Sequence, residues 1–165
     1  MKRMRILAAG LVLTVLASIG VACGGSSDES PTSAEADRQE LIRVAFEWAL
    51  LNKNLPDYGL LPDPTNVLIS LENLSVDNLP TLPGVTLTAL TEVELQSKAD
   101  DEGSLMRMSL ENLVIAGDTA EIKVANWWIA SSTETRGFLS GGFCDLKLRR
   151  TVGQWTVEDS LCALA

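Results

Sequence analysis

The chain contains no histidine among its 165 residues. That absence excludes histidine-based triads, imidazole acid–base chemistry and most metal sites. Cysteine is scarce, at three residues, and no cysteine has a base partner that would make it a nucleophile. Carboxylates are left as the only general bases. Basic residues are also few, 13 against 22 acidic, for a formal charge of −9. Such a chain does not attract a phosphate backbone, so nucleic acid is not an expected partner. The Gly141-Gly142 pair has no following Lys-Ser/Thr and is not a phosphate loop. No cofactor or metal is implied by any motif.

What is present begins with an export signal. Lys2, Arg3 and Arg5 precede an uncharged apolar stretch over residues 6–22 that ends in small residues before a cysteine. Gly20-Val21-Ala22-Cys23 resembles the lipobox of bacterial lipoproteins, with Gly20 where that motif usually carries Leu. The resemblance implies cleavage after residue 22, acylation of Cys23, and a membrane-anchored, extracytoplasmic protein of the bacterial cell envelope. A transmembrane anchor is the alternative, for which the stretch is short. Loss of the three signal-segment bases leaves 10 basic against 22 acidic residues, a charge of −12. Residues 23–33 hold the cysteine and a Gly/Ser/Pro/acid stretch that reads as a tether. Residues 34–165 are the size of one domain.

Thr32 and Glu35 have capping-box spacing and predict a helix to about Asn52, with Leu41, Val44, Ala45, Trp48 and Leu51 as its apolar stripe. Pro56, Pro62 and Pro64 make residues 54–65 a loop, with Tyr58 as its anchor. Short strands follow at residues 67–72 and 85–90, joined by a Pro-marked connection. Thr91 and Glu94 repeat the capping-box spacing and open a second helix that Gly103 stops; Val93, Leu95 and Ala99 form its weak apolar side.

Residues 104–131 predict two long strands joined at Gly117-Asp118. That register sets Ile115 opposite Ala120, Leu113 opposite Ile122 and Glu111 opposite Val124 on one face. On the other it sets Leu110 opposite Ala125, Met108 opposite Trp127 and Met106 opposite Ile129. One face is apolar near the turn and the other at the far end, as expected of a sheet that twists hard or is covered on both sides. Phe138 and Leu139 begin the next strand, and Gly141-Gly142 predicts a bulge or a close backbone approach. The last two strands alternate cleanly around a turn at Val152-Gly153. Cys144 and Cys162 are candidates for a disulfide in an exported domain, or for a buried thiol pair. A regular hairpin sets Cys144 opposite Leu161, so pairing needs a bulge.

The element order, with a run EN-L-V-I-A-G-D-T-A-E-I-K-V over residues 111–124 and a basic hairpin ending G-x-W-T-V at Val157, resembles the nuclear transport factor 2-like family. The resemblance implies an α+β fold: a long N-terminal helix and a short second helix on a strongly bent antiparallel sheet of about six strands, forming a cone around a pocket. A cystatin-like helix on a sheet is the rival architecture. The fold hosts isomerases, dehydratases, binding modules and scaffolds, so no activity follows from it.

Two candidate surfaces remain open. Arg107, Glu111, Asn126, Trp128 and Asp159 are the candidate pocket residues, lining the cone and binding a small polar molecule. Met106, Met108, Trp127 and Ile129 are the candidate partner surface, for a homodimer or an envelope complex. The leading expectation is a lipid-anchored, extracytoplasmic binding or scaffold domain without catalysis. A small-molecule isomerase or dehydratase with Glu111 or Asp159 as base is the alternative, and a subunit of an envelope complex the third.

Overall fold

The computed structural model describes residues 33–56, 58–134 and 141–164. The leader, Cys23, the tether, Thr32, Phe138 and Leu139 lie outside the described residues. The chain forms α1 (Ser33–Phe46), which continues as a π-helical turn over Glu47–Leu51, then β1 (Asn66–Ser70), β2 (Thr86–Leu90), α2 (Glu92–Glu102), β3 (Leu105–Ala116), β4 (Thr119–Ile129), β5 (Gly141–Thr151) and β6 (Gln154–Leu164). The strands make one sheet in the order β2-β1-β3-β4-β5-β6, curled but not closed.

The sheet is mixed, a correction to the wholly antiparallel expectation. β1 runs parallel to both β2 and β3. The connection over residues 71–85 explains it, being long enough for the crossover that parallel strands require and a tight hairpin does not.

α1 and the π-helical turn that continues it bury Leu41, Ile42, Ala45, Phe46, Ala49 and Leu50 against one face of the sheet. Each large apolar side chain so buried contributes about 1.5–3 kcal/mol. The buried side is rotated from the expected stripe: Val44 and Trp48 pack only partly, and Leu51 is exposed. α2 packs on the other face over the far end, with Leu95 and Ala99 against Leu68, Leu90, Leu105 and Ile129. Val93 is exposed, not part of that contact. The Thr91 capping box forms as expected, and Gly103 closes the helix at φ 94°. The Thr91 backbone N–H, and then its hydroxyl, hold the Glu94 carboxyl below the ordinary carboxylate range.

The β3–β4 turn falls at Gly117-Asp118, and Ile115 pairs with Ala120 as expected. Beyond Val114 the register changes. Val114 pairs with Glu121, but Glu111 pairs with Lys123, so Asn112 and Leu113 together face the single residue Ile122. Asn112 takes φ 49°, a left-handed conformation that Asn tolerates better than most residues. From there Leu110 meets Val124, Met108 meets Asn126 and Met106 meets Trp128. These pairs replace the expected Leu110–Ala125, Met108–Trp127 and Met106–Ile129.

A second bulge lies in β6. Lys147 pairs with Asp159 and Leu148 with Val157, leaving Glu158 extra. Cys144 thereby faces Cys162, and a disulfide joins them.

Three elements meet at the turn end of the sheet. Arg150 donates to both carboxylate oxygens of Asp37 in α1 (2.8 Å each) and to Asp118 in the β3–β4 turn (3.0 Å). Its guanidinium lies over the Trp155 ring, 4.9 Å from the centroid. At the opposite end Gly142 lets the loop after α1 lie on β5. A Cβ there would come within 2.5 Å of Pro56 Cβ and 2.9 Å of the Ala163 carbonyl oxygen.

Two substitutions test this packing by chemical denaturation. Gly142→Ala is expected to destabilise the domain by about 1–3 kcal/mol, because its methyl meets both Pro56 and the β6 backbone. Val152, in the β5–β6 turn at φ 52°, is β-branched in the left-handed region, so Val152→Asn is expected to stabilise by about 1 kcal/mol.

Candidate functional site

The bulge at Asn112-Leu113 decides which side chains share a face. Near the turn, Leu113 and Ile115 lie on the α1 side with Ala120 and Ile122. Beyond the bulge Leu110, Met108 and Met106 take that side, beside Val124, Asn126 and Trp128. Arg107, Ser109 and Glu111 face the other way, with Lys123, Ala125, Trp127 and Ile129.

The two expected surfaces are therefore each divided, and both groupings need correction. Of the candidate pocket residues, Asn126 and Trp128 are on the α1 side, while Arg107 and Glu111 are on the α2 side. Asp159, which regular alternation had placed inward, stands opposite Lys147 on the outer face and is exposed, because the Glu158 bulge reverses it. Of the candidate partner surface, Met106 and Met108 are buried at 4% and 0% exposure. Ile129 packs beneath α2. Trp127 lies against Gly141, whose missing Cβ would sit 2.4 Å from the indole Cε3. Among the described residues these four present no continuous Met/Trp patch to solvent.

The interior where a cone pocket would lie is filled at the far end. Asn126 is fully buried; its Nδ2 donates to the Pro56 carbonyl (2.9 Å) and lies 3.7 Å from Met106 Sδ. Leu55, Tyr58 and Leu61, from the Pro-marked loop, complete the covering. Tyr58 anchors the loop as expected, with Lys53 Nζ 5.9 Å from its ring centre.

On the other face Glu92, in the first turn of α2, accepts from the buried Ser70 hydroxyl at 2.5 Å and lies 3.5 Å from Arg107 Nη2. The Arg107 side chain is only 15% exposed, and its Nε and Nη1 are buried without a hydrogen-bond partner among the described residues. The sequence had no signal for this trio, because residues 70, 92 and 107 come from three elements. Further along, the outer face carries alternating charge from strand to strand. Glu111, Lys123 and Asp145 form one row and Glu121, Lys147 and Asp159 the next. Lys123 lies 3.6 Å from Asp145 and 4.5 Å from the Phe143 ring centre. Such cross-strand pairs suit a solvated sheet face.

The concave features lie elsewhere. A surface groove of about 470 Å³ runs between the hairpins, bordered by Val114, Glu121, Lys147, Arg149 and Glu158. Another of about 270 Å³ separates the loop at Leu61 from Lys98 and Glu102 of α2. Neither is lined by Glu111 or Asp159, the two candidate bases. Among the described residues no group of three or more Cys, Asp or Glu side chains is placed to hold a metal ion.

Arg107 yields a prediction. Arg107→Met keeps the apolar stem and removes two buried nitrogens that lack a hydrogen-bond partner, so stability should stay within about 1 kcal/mol or rise. Glu92→Ala leaves the cation behind and should destabilise. Urea denaturation of both variants checks the pair.

No family model matches the chain, and no curated protein matches it. Two solved structures are similar. One is a nuclear transport factor 2-like protein of unknown function from Shewanella baltica, at 12% identity and a TM-score of 0.38, covering 82% of this chain and 98% of that one. The other is a protein of unknown function with a cystatin-like fold from Nostoc punctiforme, at 14% identity and a TM-score of 0.32, covering 81% and 93%.

Proposed function

We propose that the protein is a lipid-anchored, extracytoplasmic binding or scaffold domain without catalysis, held to the membrane through Cys23. The observation that carries the non-catalytic reading is the filled interior: Met106, Met108 and Asn126 occupy the far end of the α1 side beneath the Pro56 loop. A reaction of the isomerase or dehydratase kind calls for an acid or base beside a desolvated cavity. Asp159 is exposed on the outer face, and Glu111 lies across the sheet from Asn126. Partners then meet the surface of the domain. The Cys144–Cys162 disulfide suits the oxidising compartment that the leader implies. A subunit of an envelope complex is the second reading. It is favoured by residues 158–164 of β6, an edge exposed along its length, with Leu161 at 71% and Leu164 at 66%. An edge of that kind can take up a further strand.

Cys23→Ala is expected to move the protein from the membrane to the soluble fraction, and intact mass of the wild-type chain should include the added acyl groups. A membrane fraction unchanged by the substitution would contradict the anchoring.

A further inference from the structure

We infer that the Cys144–Cys162 disulfide is a thiol-exchange site. A thiolate, from a small thiol or a protein dithiol, attacks it at Cys162, and its reduction releases residues 158–164 of β6 from the sheet.

The two sulfurs differ in access. Cys144 is fully buried in the core on the α1 side, whereas Cys162 is exposed. Cys162 also borders a surface groove of about 200 Å³, together with Asn54, Pro56, Ala163 and Leu164. None of these residues is acidic, so the groove lining sets no carboxylate against an incoming thiolate, although the chain as a whole is acidic. Exposed disulfides are the labile ones, and access decides which sulfur is attacked. Attack therefore falls on Cys162, and Cys144 is the leaving sulfur.

A partner for the leaving sulfur is already in place. Cys144 Sγ lies 3.9 Å from the Asn54 carbonyl oxygen. A disulfide sulfur has no proton to donate to that carbonyl, whereas a thiol donates weakly. The contact becomes a hydrogen bond only in the reduced chain.

In the first step a thiolate forms a bond to Cys162 Sγ as the Cys144–Cys162 bond breaks. The electron pair of that bond leaves on Cys144 Sγ, which takes a proton from water. A second thiolate then attacks the incoming sulfur and expels Cys162 Sγ, which is protonated in turn. The protein gains two electrons and two protons, and the two attacking thiols become a disulfide.

The consequence of reduction follows from burial along β6. Trp155 and Val157 pack on the core before the Glu158 bulge. Residues 158–164 are all exposed, at the edge of the sheet. They are held by the ladder to β5, by the Arg149–Glu158 ion pair and by the disulfide. A segment that buries so little side-chain surface opens at low free energy. Without the cross-link this half of the strand opens, while Trp155 keeps the first half in place. The sheet edge then passes to β5 over residues 142–147.

The test treats the full chain, without denaturant, with reduced glutathione in one arm and reduced thioredoxin in the other. Acid quenching and N-ethylmaleimide trap the products, and peptide masses locate them. Glutathione adducts should sit on Cys162 about tenfold or more above Cys144. Faster reduction by thioredoxin assigns the thiolate to a protein dithiol, and faster reduction by glutathione to a small thiol. A bond that neither reagent opens, or adducts no more frequent on Cys162 than on Cys144, would overturn the exchange site. Amide hydrogen exchange over residues 158–164 should rise about tenfold in the reduced chain and in Cys162→Ser, while α1 and β3 stay protected. Unchanged exchange there would overturn the release. Loss of protection across the whole domain would overturn it too, making the bond a staple of the fold.

Discussion

The extra residue in β3 at Asn112-Leu113 is the constraint on which the rest of the domain depends. Side chains alternate strictly along a strand, so one inserted residue exchanges the two faces for everything beyond it. With the bulge, Leu113 and Ile115 near the turn and Met106, Met108 and Leu110 beyond it all reach the α1 side. Without it, either the near-turn residues or the far methionines would face away from α1. Glu158 has the same effect in β6: it brings Cys162 to Cys144 and turns Asp159 outward. Bulges also bend and twist a strand locally, which agrees with a sheet that curls without closing.

Once the faces are set, the interior follows. The α1 side at the far end receives two methionines and a buried amide, and the loop after α1 lies over them. Gly142 makes room for Pro56, and Asn126 satisfies the Pro56 carbonyl. These contacts reinforce one another, since the loop covers the amide and the amide positions the loop. Met106, Met108 and Asn126 are buried there by the protein's own side chains. The opposite face is divided between the α2 contact and rows of alternating charge.

What was legible in the sequence was local. The Gly117-Asp118 turn, the capping box at Thr91, the stop at Gly103 and the close approach at Gly141-Gly142 each rest on residues within a few positions of one another. Each was found where expected. The Cys144–Cys162 pairing was legible only with an added bulge, since regular alternation put Leu161 in the partner position. The Asn112 bulge had little signal, because Leu113, Val114 and Ile115 are all apolar and a continuous register satisfied them equally well. Asn, tolerant of a left-handed conformation, was the single hint. The parallel pairing of β1 needed the path of a long connection. The Asp37–Arg150–Asp118 and Ser70–Glu92–Arg107 clusters join residues far apart in the chain, which no spacing rule relates. The candidate groupings failed for one reason: each was built by extending alternation through a bulge.

The most direct measurement of the central claim is the cross-strand register of β3 and β4 in solution, read from backbone proton contacts by NMR on the folded domain. The account predicts contacts pairing Met108 with Asn126 and Met106 with Trp128, alongside Ile115 with Ala120 on the other side of the bulge. Contacts pairing Met108 with Trp127 and Met106 with Ile129 would mean an unbroken register, and would contradict both the face assignment and the filled interior built on it.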